Sequence, residues 1–160
     1  MTITMTSALR VLRVVAVLGL ATTVAGLLVV LGQAFAETRA DPSLSLEDGY
    51  WIGRLPWTAV GTILVVVGTN VALVAGTAAS FIVGGWVRRL LALLPAAAGV
   101  AWWLGSLIVL VGVGGCPGCA PAQPDPFTMA YSMPDLTIAL LVLPATLAVG
   151  LGLRGPHPRA

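Results

Sequence analysis

LPWTAVGTILVVVGTNVALVAGTAASFIVGGWV, residues 55–87, runs for 33 residues without a charge between Arg54 and Arg88. Crossing the hydrocarbon core of a bilayer takes about 20 apolar residues in a helix, so this stretch holds one full crossing. Moving outward, Val14 to Ala36 gives 23 uncharged residues between Arg13 and Glu37. Leu90 opens a third apolar stretch that runs to about Gly115, and Leu136 to Leu153 gives 18 more between Asp135 and Arg154. The pattern predicts an all-α integral membrane four-helix bundle in a single membrane domain, with spans over about 10–36, 57–86, 90–115 and 134–153. Segments 37–56 and 116–133 are then the outer loops. Transmembrane β-strands are shorter and alternate apolar with polar residues, which these runs do not.

Composition leads to the same class. Of the 160 residues, 58% are hydrophobic and 9% charged, with a mean hydropathy of +1.01. A soluble domain carries about 25% charged residues to wet its surface. Disorder requires low hydrophobicity and high charge, and a disulfide-stapled miniprotein requires more than the two cysteines present. The basic residues are all arginine; with abundant Ala, Gly and Val, this points to a high-GC bacterial genome.

Arginine placement orients the chain. With the N-terminus inside, Arg10, Arg13, Arg88, Arg89, Arg154 and Arg159 are cytoplasmic, and only Arg39 and Arg54 are outside. That split follows the positive-inside rule. It predicts a multi-pass protein of the plasma (inner) membrane with both termini cytoplasmic. All six acids (Glu37, Asp41, Glu47, Asp48, Asp125, Asp135) fall outside. A competing reading takes Ala34-Phe35-Ala36 as a signal-peptide cleavage site, but the apolar run exceeds the 7–15 residues of a secretory core. The expected partner is the lipid bilayer, joined by other membrane subunits or a second copy; nothing points to nucleic acid.

Local signals set the helix ends. Pro56 suits a first helical turn, and Ser132-Met133-Pro134-Asp135 fits a capping box. Pro95 falls in the first two turns of the third span. Pro144, near the middle of the fourth, is expected to kink it by removing a backbone donor. Tyr50, Trp51, Trp57 and Trp86 mark the interfaces, where an aromatic ring has an apolar body in lipid and a wet polar tip.

Lipid removes the hydrophobic drive between helices, leaving close packing and interhelical hydrogen bonds. Gly68, Ala72, Gly76, Ser80 and Gly84 recur every four residues, and Ala97, Ala101 and Gly105 form a shorter ladder. The longer ladder reads as a stripe along one face for over four turns. It predicts tight packing of spans two and three, or a homodimer seam. Trp102 and Trp103 lie far from either interface, and a buried indole N–H seeks an acceptor. Asn70, beside Thr69 and at similar depth, is the expected one.

Chemistry is sparse. No ionisable residue lies between the flanking charges of any span, which counts against proton relays and charged ion paths. The sole histidine, His157, sits in the tail, so no haem or other cofactor is expected. The acids of segment 37–54 fix no coordination geometry, and no nucleotide-binding or hydrolase motif occurs. Cys116-Pro117-Gly118-Cys119 is the one lead. Pro-Gly specifies a type II turn, which brings both cysteines within disulfide reach on the oxidising side. In that placement the chain resembles the four-span quinone-linked disulfide oxidases and vitamin K epoxide reductases, a likeness of architecture alone, since no second cysteine pair is present. The resemblance implies Cys116 and Cys119 as catalytic thiols. Against this, the motif follows a helix C-terminus, where the dipole raises a thiol pKa, and no cation adjoins it. A structural disulfide is therefore preferred, and two sulfurs leave a zinc site half filled. The leading expectation is an accessory membrane protein without a catalytic centre. A thiol–disulfide oxidoreductase is the alternative, and a carrier of a hydrophobic molecule, using a groove by Pro144 and the tryptophans, is the third.

Overall fold

The computed structural model describes residues 2–40, 56–114 and 137–154, and these are helical apart from Gly84, Gly85 and Arg154, with no strand among them. α1 spans Thr2–Ala40, α2 Pro56–Val83 and α3 Trp86–Gly114. The fourth helix, α4, comprises a π-helical turn, Ile138–Val142, that runs into the α-helical segment Leu143–Leu153. α1, α2 and α3 each contain a stretch long and apolar enough to cross a membrane: Thr6–Gln33, Val60–Val83 and Trp86–Ile108. Ile138–Leu153 is a shorter apolar helix.

Three boundaries differ from the sequence reading. α1 has 39 residues, about 58 Å at the helical rise, so it outruns a bilayer core and carries Glu37–Arg39 as helix where a loop was expected. Apolar content sets what a membrane can hold, not where a helix must stop. The second span was expected to reach residue 86, but α2 ends at Val83 and Gly84-Gly85 breaks the chain. Two adjacent glycines carry a high entropic cost in a helix, and no apolar face is lost by stopping there. α3 then starts at Trp86, so Arg88 and Arg89 ride on its first turn and are not a separate loop. Residues 134–136 lie outside the described segments.

Neighbouring helices run antiparallel. Gly19 meets Gly68 and Ala72, while Gly26 meets Gly61 and Val65, fixing α1 against α2. The bond from Trp103 to Asn70 and that from Arg89 to Phe81 do the same for α3 against α2. The start of α1, the end of α2, the start of α3 and the end of α4 thus gather at one end of the molecule. The core is built largely from small side chains, with Ala16, Ala72, Ala145 and Ala148 packed around Val66, Leu141 and Trp102. Large apolar residues such as Leu28, Val74, Leu94 and Ile108 point outward, as lipid contact requires.

α1 and α2 approach most closely. A Cβ added at Gly26 would lie 2.6 Å from Gly61 O, and one at Gly68 would lie 2.7 Å from Gly19 O. On each helix these glycines are seven residues apart, the repeat that keeps a seam facing its partner across a shallow left-handed crossing. The four-residue ladder behaves differently. Each step of four advances 400° around the axis, so the row winds by about 160° between Gly68 and Gly84. Its start, Gly68 and Ala72, faces α1, and its continuation, Gly76 and Ser80, faces Ala148 of α4. The neighbours of Gly68 and Gly76 belong to α1 and α4, against the expectation that the ladder packs spans two and three together, and α3 is met only at Gly84. Gly84 lies in the connection, where its missing side chain makes room for the stem of Arg88.

Four buried hydroxyls in these helices bond to carbonyls of their own helix, as an apolar surround favours. Thr23 donates to Gly19 O, Thr69 to Val65 O, Ser80 to Gly76 O and Ser106 to Trp102 O. Pro144 is accommodated by the π turn before it. The Leu143 N–H donates to Ile138 O, five residues back, widening the turn next to the donor that proline lacks.

Candidate functional site

α2 and α3 are joined by two glycines, yet they leave a cleft of about 630 Å³ between them. Leu73, Val74, Phe81 and Ile82 of α2 form one wall, and Ala96 and Val100 of α3 stand on the other. α2's contribution is bulky where its α1-facing side is glycine, and this holds α3 off. Gly99 is the exception. It lies under the Leu73 side chain, where a Cβ would clash.

Asn70 and Trp103 also line the cleft. The Trp103 indole Nε1 donates to Asn70 Oδ1 at 2.9 Å, and the Asn70 amide Nδ2 donates to Val66 O at 2.7 Å. Asn70 is thereby a relay: it spends its donor on its own helix and offers its acceptor to α3. Trp103 remains 42% exposed. Its neighbour Trp102 is fully buried and takes a different partner, donating to Thr137 Oγ1 of α4 at 3.2 Å. Consecutive residues on a helix point about 100° apart, so the pair reaches two neighbours at once. The rings meet edge to face, with centroids 5.1 Å apart and planes at 86°, the arrangement that aromatic quadrupoles favour. Thr137 had no part in the sequence reading. Its position next to the expected N-terminus of the fourth span, level with the middle of α3, was the available signal.

Thr77 lines the same cleft, but its Oγ1 is shielded and has no partner. A buried hydroxyl without a partner costs about 1–3 kcal/mol. Rotation about χ1 brings a helical threonine hydroxyl onto the i−4 carbonyl, as at Thr69, so the cost is recoverable.

At the end where the chain turns through Gly84-Gly85, arginines cap helices. α-Helix C-termini leave carbonyls without intrahelical donors and concentrate partial negative charge. Arg13 of α1 donates through Nε to Gly152 O at 3.0 Å, and Arg88 donates through Nη1 to Arg154 O at 3.1 Å, both at the end of α4. Arg89 donates through Nε to Phe81 O at 3.1 Å, at the end of α2. With Arg10 and Arg154, five arginines share this end. Glu37, the one acidic residue in the described segments, belongs to the far end of α1.

The remaining sequence-derived site residues are dispersed. Gly68, Ala72, Gly76 and Ser80 are packing positions away from the cleft, whereas Ala97 and Ala101 of the shorter ladder are exposed on α3. Pro144 does not line the cleft. Cys116 and Cys119 lie outside the described residues, as do the capping box, Asp125, Tyr50 and Trp51 and the tail with His157. Among the described residues, no group of three His, Cys, Asp or Glu side chains is placed to hold a metal.

Among the described residues the protein is all-helical, with three apolar helices long enough to cross a membrane. No protein-family model, curated protein or solved structure matches the chain.

Proposed function

We propose that this chain is an accessory protein of a bacterial inner membrane, without a catalytic centre of its own, whose working surface is the α2–α3 cleft. Both termini are cytoplasmic in this reading, and α1, sealed to α2 by glycines, is a permanent span. The cleft receives an apolar molecule from the surrounding lipid. The observation that carries the reading is the Trp103–Asn70 bond, which holds two adjoining helices at a fixed separation around an apolar space. In lipid such a space fills with hydrocarbon rather than water, because its lining is apolar apart from Asn70, Trp103 and Thr77. The outer Cys116-Pro117-Gly118-Cys119 turn enters as a loop-closing disulfide, with an expected reduction potential below about −300 mV. A more oxidising couple, with activity lost in Cys116→Ser, favours the oxidoreductase instead.

The test uses a photoactivatable hydrocarbon probe in membranes containing the whole protein. Label is expected to concentrate on the α3 peptide carrying Ala96 to Trp103, and to fall in Ala78→Phe, which fills the cleft while helix content is unchanged. Label spread evenly over α1 and α3, unaffected by the filling variant, would refute the reading.

A further inference from the structure

The dimensions and charge of the cleft restrict what fits it, and we infer that its occupant is one acyl chain of an anionic phospholipid from the cytoplasmic leaflet. This rests on the cleft being a binding surface and names the molecule that it takes. Asn70 is the midpoint of α2, and Ile82 is next to its end. The wall between them covers 12 residue steps, about 18 Å at the helical rise. Half of a bilayer core is about 15 Å. The cleft therefore has the depth of one leaflet. It is closed at mid-membrane by the Trp103–Asn70 pair, and at the other end it meets the surface where the chain turns. A whole transmembrane segment does not fit a groove that stops halfway, whereas a single lipid tail does.

The open end decides the headgroup. Phe81 lines the cleft, and the exposed Arg89 donates to its carbonyl, which ties a guanidinium to the α2 end of the cleft. Arg88, next in the chain, donates to Arg154 O at the end of α4, and the acidic residue of the described segments lies at the far end of α1. Among the described residues, no acidic side chain belongs to this end, so a headgroup seated there meets arginine charge. Basic positions between helices on the cytoplasmic side attract anionic headgroups by about 1 kcal/mol per arginine, or about fivefold in occupancy. A bidentate guanidinium suits a phosphate diester, and phosphatidylglycerol-type lipids, whose head carries no cation to offset that phosphate, keep a net negative charge that separates them from zwitterionic lipids of equal chain length.

The experiment reads Trp103 fluorescence in nanodiscs of phosphatidylcholine doped with a lipid brominated along its tail, either phosphatidylglycerol or phosphatidylcholine. The signal of Trp103 is the difference between the parent protein and Trp103→Phe. Half-quenching is expected at about fivefold lower mole fraction of the anionic lipid. Arg89→Gln should remove most of that preference while quenching by both lipids persists, and Arg89→Lys should restore part of it. Ala78→Phe should abolish the quenching of Trp103 by either lipid. Equal quenching by the two headgroups, or a preference untouched in Arg89→Gln, would overturn the anionic assignment and leave an apolar cleft. Quenching unaffected by Ala78→Phe would show that no tail enters, and the cleft reading itself would fall.

Discussion

α2 has two contrasting neighbours. Toward α1 it presents Gly61 and Gly68, and the helix backbones approach until no Cβ fits between them. Toward α3 it presents Leu73, Val74, Phe81 and Ile82, and a cleft of about 630 Å³ remains. Proximity in sequence does not predict proximity in space here. α3 follows α2 after two glycines, while 15 residues separate the ends of α1 and α2, yet α1 is the closer partner. Where lipid supplies no hydrophobic drive, side-chain size at the facing positions decides which pair closes. The Trp103–Asn70 bond at mid-helix and the Arg89–Phe81 bond at the turn then hold the open pair in register.

The largest effect is expected at the closed seam. Gly68→Leu forces side-chain atoms into the α1 backbone near Gly19 and Thr23, and overpacking of this kind costs about 3 kcal/mol. Gly32→Leu on α1 meets nothing within 4 Å and should not destabilise in the same unfolding assay in detergent, gaining a little from helix propensity. Equal responses would erase the distinction between seam and lipid face. Next, Trp102→Phe removes the donor to Thr137 and leaves a gap in the core, a loss of about 2 kcal/mol. This loosens α4, not the cleft. Asn70→Leu acts on the open side, where interhelical polar bonds in membranes are worth about 0.6–2 kcal/mol. Its marker is a shift in Trp103 emission together with the lower melting temperature; if both stay put, the bond does not hold the helices in register. The smallest change belongs to Gly150→Ala on α4, which meets no neighbour and should raise stability by about 0.5–1 kcal/mol through helix propensity.

The number of helices was legible because charges punctuate apolar runs, and their lengths are set by the bilayer more than by packing. Partners were harder to read. The four-residue ladder from Gly68 to Gly84 is conspicuous in sequence, but its angular drift carries it from α1 to α4. The seven-residue pairs Gly19/Gly26 and Gly61/Gly68 are less conspicuous and make the closest seam. Asn70 and the two tryptophans stood out as polar atoms in an apolar run. Which indole reaches which acceptor depends on helix rotation and register, and neither is written in a single span. The bulky residues around the cleft look like ordinary lipid-facing positions one at a time. Only the separation of α2 and α3 makes them a site. The arginines announced an orientation, but their second use as caps on the ends of α2 and α4 requires knowing which ends meet.

The cleft opens to the inner leaflet only if the arginine end lies in the cytoplasm. In a protein with Cys116 and Cys119 changed to serine, single cysteines at Ser7 and Ser45 can be probed with a membrane-impermeant maleimide on intact cells. Ser45→Cys is expected to react at once, and Ser7→Cys only after permeabilisation. Immediate labelling at position 7, with position 45 protected until the membrane is opened, would contradict this orientation.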